Sequence, residues 1–329
     1  MKPFFKKSLI RWGIIGCGNV TEVKSGPAYQ MTEGFELFGV MRRNLDKAKD
    51  YAKRHKVLFY TDDAKALIQH PDVDAIYIAT PPDTHKFYGL QVAEVGKPCC
   101  IEKPMAPTYA ESLAIYTAFK ERDIPLFIAY YRRSLPRFLK IKEWLSNDMI
   151  GEARHIKWYK SRTASPLDLG GEYNWRTDAK IALAGYFDDL ASHGLDLFTF
   201  LLGDIVKASG FATNQQGLYT AYDAVSGSWA HKNGVMGSGS WIFGANQPRD
   251  KVEIIGSKGE IRFSVLGEEP VELITPTGSR SEFIEHPKHL HEFHVLNIRR
   301  HLTGKGMHPS TGESGLHTAW VMGEILGQK

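Results

Sequence analysis

The tripeptide Glu102-Lys103-Pro104 is the part of the sequence whose residue types point most directly to chemistry. It follows a short apolar run, residues 99–101, which we expect to form a buried strand. A lysine at the end of such a strand can donate a hydrogen bond to a substrate oxygen, and burial favours the neutral amine, which can accept a proton. Pro104 restricts the backbone directly after the lysine. We therefore predict that Lys103 is functional.

A glycine turn near the N-terminus predicts a nucleotide-binding site. Gly16 and Gly18 follow an apolar run, residues 10–15, which predicts a strand. In a dinucleotide-binding turn the first glycine permits the tight turn, and the second lets the backbone approach a pyrophosphate. The third position of this fingerprint is Thr21 rather than Gly or Ala, so we expect the helix and the strand to lie slightly further apart. The residues expected to bind the cofactor here are Gly16, Gly18, Asn19 and Val20.

A carboxylate and an imidazole occur at helical spacing in the second half of the chain. Asp189 and His193 are four residues apart in an apolar stretch, residues 182–202, that predicts a helix, so both side chains lie on one face. The pair can hold a substrate hydroxyl and its proton; the alternative is an aspartate that caps a buried histidine. Asp188 offers a second carboxylate on a different face. Asp196, one turn beyond His193, can orient the imidazole.

The order and spacing of these motifs along the chain resemble those of the Gfo/Idh/MocA oxidoreductases, the family that contains glucose-fructose oxidoreductase and inositol dehydrogenase. The resemblance spans nearly the whole chain and rests on Gly16-x-Gly18, Ala79-Thr80-Pro81-Pro82-x-x-His85, Glu102-Lys103-Pro104, Trp175-Arg176 and Asp189-x-x-x-His193. The sequence departs from the family pattern at Thr21, and at Ala191, where the family usually has glycine. Neither departure removes a reactive group.

The resemblance implies roles for these residues. The catalytic residues would be Lys103, Asp189 and His193. The residues that contact the cofactor, besides those of the glycine turn, would be Thr80, Pro81, Pro82, His85, Glu102, Lys103, Trp175 and Arg176. Trp175, Asp189 and His193 would also contact the substrate. Without the resemblance, His85 is more often a histidine at the start of a helix with no catalytic role.

The end of the second predicted strand, residues 35–41, indicates which dinucleotide binds. An acidic residue at this point hydrogen-bonds the ribose hydroxyls of NAD, but this chain has Arg42 and Arg43. Because guanidinium groups suit a 2′-phosphate, the sequence favours NADP(H), with NAD(H) as the other cofactor that the turn accepts. The alternative is that both arginines lie in a solvated loop and that Asp46 reaches the ribose.

Tyr131 and Arg133 follow the last predicted strand of the first domain, residues 126–129. An aromatic ring can stack on the apolar face of a sugar, and a guanidinium group can bind hydroxyls or a carboxylate. We therefore expect both residues to contact the substrate. Structural packing of Tyr130 against Tyr131 at a domain junction is the alternative.

Alternating strand and helix patterns predict an α/β fold with an N-terminal Rossmann domain, residues 1–124, that binds a dinucleotide. Strands are predicted at residues 10–15, 35–41, 75–79, 99–101 and 126–129, and helices at residues 23–31, 45–55, 63–69, 85–95 and 109–122.

Residues 125–329 predict an α+β domain for substrate binding and oligomerisation, with a mainly antiparallel or mixed open sheet. A long strand is predicted at residues 153–162, helices at residues 136–145, 182–202, 290–302 and 312–326, and turns at Lys232-Asn233-Gly234 and Ser257-Lys258-Gly259. The last helix can pack back onto the first domain.

The resemblance also implies that the open face of the second sheet pairs with another subunit, so we expect a homodimer or a homotetramer. Trp229, Trp241 and Phe243 alternate on neighbouring predicted strands and are compatible with such an interface. Alternation of this kind is more typical of an ordinary core.

Composition limits the other functions. With 329 residues, of which 43% are apolar and 24% charged, the chain is typical of a soluble globular protein of two domains. A net charge of +4, spread along the chain, does not favour nucleic-acid binding. No run approaches the roughly 18 apolar residues that span a bilayer, so we expect no membrane partner. Cys17, Cys99 and Cys100 have no zinc or redox spacing and suit reduced thiols in the cytoplasm.

Histidines are numerous near the C-terminus, at His286, His289, His291 and His294. They do not form an H-E-x-x-H motif, no cysteine lies near them in sequence, and hydride transfer requires no metal ion. We therefore expect no metal site.

The function expected from these motifs is that of an NAD(P)-dependent, NADP(H)-preferring dehydrogenase or reductase that acts on CH-OH groups. It would transfer a hydride between C4 of the nicotinamide and a carbinol or carbonyl carbon of a sugar, a polyol or a related small molecule. The alternatives are a cofactor-binding sensor without turnover and an enzyme that retains its cofactor through both half-reactions. Intact Lys103, Asp189 and His193 argue against the sensor.

Overall fold

The computed structural model of the chain describes residues 2–328. Its contacts form two compact units. The first contains the residues up to 134 together with 287–316, and the second contains residues 135–286 together with those after 316.

The first unit contains a parallel six-stranded sheet. Its strands are β1 (Ile10–Ile15), β2 (Phe35–Met41), β3 (Phe59–Thr61), β4 (Ala75–Ile78), β5 (Cys99–Ile101) and β6 (Leu126–Ile128). They are hydrogen-bonded in the order β3-β2-β1-β4-β5-β6. The strand order reverses between β1 and β4, and the carboxyl ends of such a pair border the crevice in which doubly wound sheets bind nucleotides. The predicted Rossmann fold is confirmed.

The second unit contains an eight-stranded sheet. Its strands are β7 (Ala153–Arg162), β8 (Ile205–Thr213), β9 (Ala224–His231), β10 (Met236–Phe243), β11 (Arg249–Gly256), β12 (Glu260–Phe263), β13 (Val271–Thr275) and β14 (Gly278–Glu282). The order is β14-β13-β12-β11-β7-β10-β9-β8. Because β7 and β10 are parallel and the other pairs are antiparallel, the predicted mixed sheet is confirmed.

Helices flank both sheets. They are α1 (Asn19–Val23), α2 (Gly26–Met31), α3 (Leu45–His55), α4 (Ala64–Ile68), α5 (His85–Glu94), α6 (Tyr109–Lys120), α7 (Pro136–Ser146), α8 (Pro166–Leu169), α9 (Tyr186–Leu202), α10 (Glu292–Leu302) and α11 (Gly312–Leu326). Within residues 2–328, no helix is long and apolar enough to cross a membrane.

Two predicted helices differ from the structure by more than two residues at an end or in continuity. The helix predicted at residues 23–31 is two short helices, α1 and α2, and a Cβ atom at Gly26 would lie only 2.2 Å from the Thr21 carbonyl oxygen. The absence of a side chain at Gly26 therefore lets α2 begin close to α1. The helix predicted from residue 182 begins at Tyr186, because Gly185 has a φ of +58° and interrupts the helical backbone. The short edge strand β3 was not predicted, since its three residues, unlike those of β5, do not form a continuous apolar run.

Helix α10 packs within the first unit although it lies far along the chain. Its buried residues Val295, Ile298 and Leu302 share a core cluster with Ile10 and Trp12 of β1. The predicted boundary after residue 124 assigns β6 and α10 to the second domain, whereas their contacts place both in the first unit. The division of the chain into functional domains stays a prediction.

Tryptophans form much of the core of the second unit. Trp158 packs against Phe198 of α9 at a ring-centroid distance of 5.5 Å, and Trp241 packs against Phe187 at 4.9 Å. Trp229 is also buried. These aromatic residues belong to the core of this unit. Their alternation in the sequence therefore reflects an ordinary core, which was the alternative to a subunit interface.

Candidate active site

The glycine turn between β1 and α1 has the geometry of a dinucleotide-binding turn. Gly16 has a left-handed φ of +91°, and a Cβ atom there would lie 2.7 Å from Thr80 Cγ2. Gly18 has a φ of −129°, and the nearest heavy atom to an added Cβ would be the Gly16 carbonyl oxygen at 3.9 Å. The fold therefore makes no demand for glycine at Gly18, and the open space beside it fits a pyrophosphate held by backbone amides. The prediction that the tight turn requires glycine at Gly16 rather than at Gly18 is confirmed.

Thr21 fills the third fingerprint position without leaving a polar group unsatisfied. Its side chain is fully buried, and its hydroxyl donates to the Gly18 carbonyl oxygen at 2.8 Å. Its own carbonyl oxygen accepts a hydrogen bond from the Tyr51 hydroxyl at 2.9 Å. Asn19 and Val20 open α1 directly after Gly18, so their amide N–H groups have no carbonyl partner within the helix.

The loop after β4 is fixed by His85. This residue is fully buried, with Nε2 2.8 Å from the Thr80 carbonyl oxygen and Nδ1 3.1 Å from the Pro104 carbonyl oxygen. Burial lowers the pKa of His85. The ring thus joins the loop after β4, which contains Pro81 and Pro82, to the loop after β5. The ring is enclosed and positions these two loops, and contact of His85 with the cofactor stays a prediction.

The Glu102 carboxylate is enclosed between two strands of the sheet. Residue Glu102 is 9% exposed; one carboxylate oxygen accepts a short hydrogen bond from the Tyr77 hydroxyl, and the other accepts from the Lys103 amide at 3.2 Å. Burial raises the pKa of Glu102, and the charge of Lys103 and the bond from Tyr77 oppose this shift. The Glu102 side chain therefore joins β4 to β5, and its contact with the cofactor stays a prediction.

Lys103 follows Glu102 at the carboxyl end of β5, and its peptide bond to Pro104 is cis. Lys103 has an intermediate exposure and is therefore not the buried residue that the sequence predicted. Partial exposure is what a residue that meets a bound molecule requires. The carboxyl ends of β1, β4 and β5 lie along the same edge of the parallel sheet, so the glycine turn and Lys103 belong to one edge.

Arg42 lies at the end of β2, beside the glycine turn. Its Nη1 donates to the Cys17 carbonyl oxygen at 3.2 Å, and the residue is half-buried. Arg43 is exposed, and Asn44 caps α3 by accepting a hydrogen bond from the Lys47 amide at 2.9 Å. Of the two arginines, Arg42 is therefore the one that a contact fixes beside the turn.

Tyr131 and Arg133 lie in a buried helical turn, Tyr131–Ser134. The Tyr131 ring centroid lies 4.6 Å from that of His291, and the Arg132 guanidinium lies 4.8 Å from the Tyr131 centroid. Arg133 Nη1 donates to the Pro309 carbonyl oxygen at 3.0 Å. These contacts hold Tyr131 and Arg133 in place within the first unit, and contact with a substrate and packing of Tyr130 against Tyr131 both stay predictions.

In the second unit, Trp175 and Arg176 are tied to α9. Arg176 Nε donates to Asp189 Oδ2 at 3.0 Å, and its guanidinium lies 4.3 Å from the Trp175 ring centroid. Asp189 and His193 lie four residues apart in α9, as predicted. Arg176 therefore orients the carboxylate at one end of this pair.

Asp188 differs from Asp189 in its surroundings. One of its carboxylate oxygens accepts a hydrogen bond from the Ala184 amide at 2.9 Å. Burial raises the pKa of Asp188 to about 7; the Ala184 amide opposes the shift, and the charge of Asp189 adds to it. Asp188 therefore closes the turn that precedes α9, while Asp189 pairs with Arg176.

His193 and Asp196 lie deeper in the second unit. His193 is 5% exposed, and Asp196 is fully buried. Asp196 Oδ1 accepts a hydrogen bond from the Thr318 hydroxyl of α11 at 3.2 Å. That Asp196 orients the His193 imidazole stays a prediction.

Two buried tyrosines were missed from the sequence. Tyr77 binds Glu102, and the Tyr186 hydroxyl donates to Asp168 Oδ1 at 2.7 Å and accepts from Asn174 Nδ2 at 3.1 Å. A tyrosine inside an apolar segment is the available signal, because a buried phenol needs a hydrogen-bond partner. The sequence does not indicate which partner that is.

Comparison with known proteins agrees with this geometry. Residues 10–130 match the family described as "Oxidoreductase family, NAD-binding Rossmann fold", and residues 138–262 match the "GFO/IDH/MocA C-terminal domain". The fold, the glycine turn and these matches define an NAD(P)-dependent oxidoreductase. The chain belongs to the Gfo/Idh/MocA family.

Relatives are similar over most of the chain. "Oxidoreductase P35" of Formosa agariphila is 38% identical, over 98% of this chain and 99% of the relative. "Myo-inositol 2-dehydrogenase" of Thermotoga maritima is 25% identical, over 82% of this chain and 80% of the relative. The structure of levoglucosan dehydrogenase in complex with NADH and levoglucosan has a TM-score of 0.85 and 22% identity, and the match covers 97% of this chain and 96% of that one. This structural likeness shows the shared fold.

Proposed function

We propose that this protein is an NADP(H)-preferring oxidoreductase that acts on a CH-OH group of a sugar, a polyol or a related small molecule. The observation that carries the proposal is the shared sheet edge in the first unit: the open turn at Gly18 follows β1, and Lys103 follows β5. When bound, the nicotinamide supplies or accepts the hydride. The chain supplies the binding surface, the orientation and the proton.

The residues proposed to hold the cofactor are those at this edge. The glycine turn, with Asn19 and Val20, would receive the pyrophosphate, and Thr80, Pro81 and Pro82 would border the ribose. Arg42 would bind the 2′-phosphate, because its guanidinium already lies beside the turn, with Nη1 3.2 Å from the Cys17 carbonyl oxygen. Arg43 is exposed and can add a second donor. His85 and Glu102 would act indirectly, by fixing the loops.

Lys103, Asp189 and His193 are proposed to act on the substrate. Lys103 would donate a hydrogen bond to the reacting oxygen and exchange its proton. Asp189 and His193 would hold a hydroxyl, and the Arg176 contact to Asp189 at 3.0 Å orients that carboxylate. Trp175, with Tyr131 and Arg133 as further candidates, would hold the sugar ring.

The names of the relatives support a carbohydrate or polyol substrate. Levoglucosan, myo-inositol and 1,5-anhydro-D-fructose appear in the names of similar proteins, and each carries several hydroxyl groups on a ring. A paired carboxylate and guanidinium beside a tryptophan ring suits such a molecule.

We also propose a homodimer or homotetramer in which the open face of the second sheet is covered by another subunit. The face opposite α9 presents small polar residues, Ser226 and Ser228 of β9 and Ser240 of β10, which are exposed or half-buried. Strands of this kind leave a smooth surface that a second copy can approach closely.

The proposal is tested with the purified full-length chain. We expect tighter binding of NADPH than of NADH in a fluorescence titration, and NADP⁺ reduction with at least one member of a panel of sugars, deoxy-sugars, anhydro-sugars and inositols, or NADPH oxidation with the keto-sugars. Nucleotide binding without turnover of any compound would favour the sensor. Cofactor absorbance that persists through purification would favour an enzyme that retains its cofactor.

A further inference from the structure

A buried hydrogen-bond chain leads from Tyr77 through Glu102 to the backbone of Lys103. Ser25, the fully buried residue that precedes α2, faces the hydroxyl of Tyr77 in β4. The Tyr77 hydroxyl donates to one oxygen of Glu102, and the other oxygen accepts from the Lys103 amide at 3.2 Å. Tyr77 is fully buried, and it is paired with Cys100 across the register of β4 and β5.

This arrangement constrains the ionisation of Glu102. A buried carboxylate is costly unless donors and positive charges surround it. The groups that face Glu102 are Tyr77 and Lys103, the charge of Lys24 at the end of α1, and His291, whose Nε2 lies 3.9 Å from Oε1. His291 is itself surrounded by the charges of Lys24, Arg132 and Lys103, and together with burial these lower its pKa to about 3, so it is neutral and adds no charge.

We propose that Tyr77 and Glu102 are positioning residues for Lys103: the Tyr77 hydroxyl holds the Glu102 carboxylate, which fixes the Lys103 backbone and places a negative charge beside its ammonium group. The inference rests on the proposed function, in which Lys103 exchanges a proton with the substrate. It explains why a tyrosine occupies the interior of an otherwise apolar strand, residues Ala75–Ile78.

Tyr77→Phe tests the first step, because it removes the hydroxyl and keeps the ring. Tyr29→Phe is the matched control: Tyr29 is also fully buried, its ring lies 5.2 Å from that of Tyr77, and its hydroxyl faces Cys100 instead of Glu102. We expect Tyr77→Phe to lower kcat roughly ten- to a hundred-fold, as for the loss of a hydrogen bond to a charged group, with an unchanged Kd for NADPH. Tyr29→Phe should retain kcat.

The pH profile gives a readout that packing alone does not move. A hydrogen bond donated to a carboxylate favours its ionised form, so loss of the Tyr77 hydroxyl raises the pKa of Glu102 further. Glu102 then takes up its proton at a higher pH, and the acid limb of kcat should move up by about one pH unit in Tyr77→Phe but not in Tyr29→Phe. An unchanged profile and kcat in Tyr77→Phe, or equal losses in both variants, would overturn the proposal.

A second test needs neither substrate nor cofactor. Glu102→Gln removes the negative charge but keeps polar atoms for both partners, because the Tyr77 hydroxyl can accept as well as donate. Acetylation of Lys103 by acetic anhydride, measured by mass spectrometry relative to exposed Lys49, should become faster in Glu102→Gln. The exposed-residue control Glu94→Gln should leave the ratio unchanged.

An unchanged Lys103 to Lys49 ratio in folded Glu102→Gln would refute the electrostatic role of Glu102. The ratio remains decisive if Tyr77→Phe does not fold. It also separates the two hypotheses: a wild-type protein that reduces or oxidises none of the compounds refutes the proposed function, whereas the ratio reports only on Glu102 and Lys103.

Discussion

The two units hold their candidate residues by different means. In the first unit, backbone groups position the turn and the loops: Gly16 takes a left-handed conformation, and His85 lies between the carbonyl oxygens of Thr80 and Pro104. In the second unit, side chains from distant segments hold Asp189 and Asp196, through Arg176 and Thr318 respectively. The nucleotide side is thus built from strand ends and turns, and the second unit's candidate residues are held by side-chain pairs.

This difference between backbone and side-chain positioning determines which substitutions each region tolerates. A backbone conformation that only glycine adopts readily has no substitute, so a change at such a turn alters the fold or the cofactor site directly. A side-chain pair can be removed one partner at a time, and its effect depends on what the remaining partner meets. The predictions below separate these behaviours.

The largest effect is expected from the proposed acid-base residues, one in each unit. Lys103→Met and His193→Ala should each lower turnover by roughly a hundred- to ten-thousand-fold, because a proton-transfer group is lost while NADPH binding persists. If both act in one proton path, the double variant should be little slower than either single variant. Steady-state kinetics on an identified substrate measure this, with exposed Lys49→Met as the control. Additive losses would show two independent functions.

The glycine turn should separate binding from folding. Gly18→Val should abolish NADPH binding in a folded protein, because the new side chain fills the open space beside the turn. Gly16→Ala should instead lower the melting temperature, since its φ is +91° and its Cβ would lie 2.7 Å from Thr80 Cγ2. Gly96→Ala is the matched control: φ is +76° there, and no heavy atom lies within 4 Å of an added Cβ.

Calorimetry and nucleotide titration together check the three glycine variants. Gly96→Ala should show the cost of the left-handed conformation alone, about 1–2 kcal/mol, and Gly16→Ala should cost more. Retained nucleotide affinity in Gly18→Val would place the pyrophosphate elsewhere.

The choice between NADPH and NADH should depend on the Arg42 side chain, although backbone groups position most of the first unit's site. Arg42→Asp should invert the NADPH preference, because it removes a charge-assisted hydrogen bond and adds repulsion. A change of roughly ten- to a hundred-fold in the ratio of the two dissociation constants is expected. Lys47→Asp, the same charge reversal on an exposed face of α3, should leave the ratio unchanged. Equal affinities for NADPH and NADH in the wild type would refute the preference.

The smallest effect distinguishes the two adjacent carboxylates of α9. The raised pKa of Asp188, about 7, means that the folded protein binds a proton there between about pH 4 and 7 which the unfolded chain has released. The free energy of unfolding therefore falls as pH rises through this window. Asp188→Asn, which can still accept from the Ala184 amide, should remove the fall and raise the melting temperature by several degrees at pH 8.

Melting temperature against pH checks this, with exposed Asp46→Asn as the control. Turnover should be largely retained in Asp188→Asn and reduced in Asp189→Asn, which weakens the pair with Arg176. The reverse order of activities would assign the function to Asp188.

Much of the architecture was predictable because it depends on local periodicity. The apolar runs of β1 and β2, the alternating run of β7 and the spacing of α3 gave bounds that agree with the structure. The turn at Gly234 was also predictable. Its φ of +92° favours glycine, and an Asn-Gly pair in the sequence is typical of such turns. Periodicity failed at residues 23–31, where it predicted one helix: the close approach of Gly26 to Thr21, which lets α2 begin beside α1, leaves no periodic signal in the sequence.

The sequence by itself determined the order of elements, the conformation at Gly16, the spacing of Asp189 and His193 along one helix and the family to which the chain belongs. Tertiary structure alone decided what each polar side chain meets. The motif gives the types and positions of Glu102 and His85, and long-range packing gave both side chains partners from other loops and strands. The physical reason is that a motif fixes residue types and spacing, whereas burial and hydrogen-bond partners depend on segments far apart in the chain.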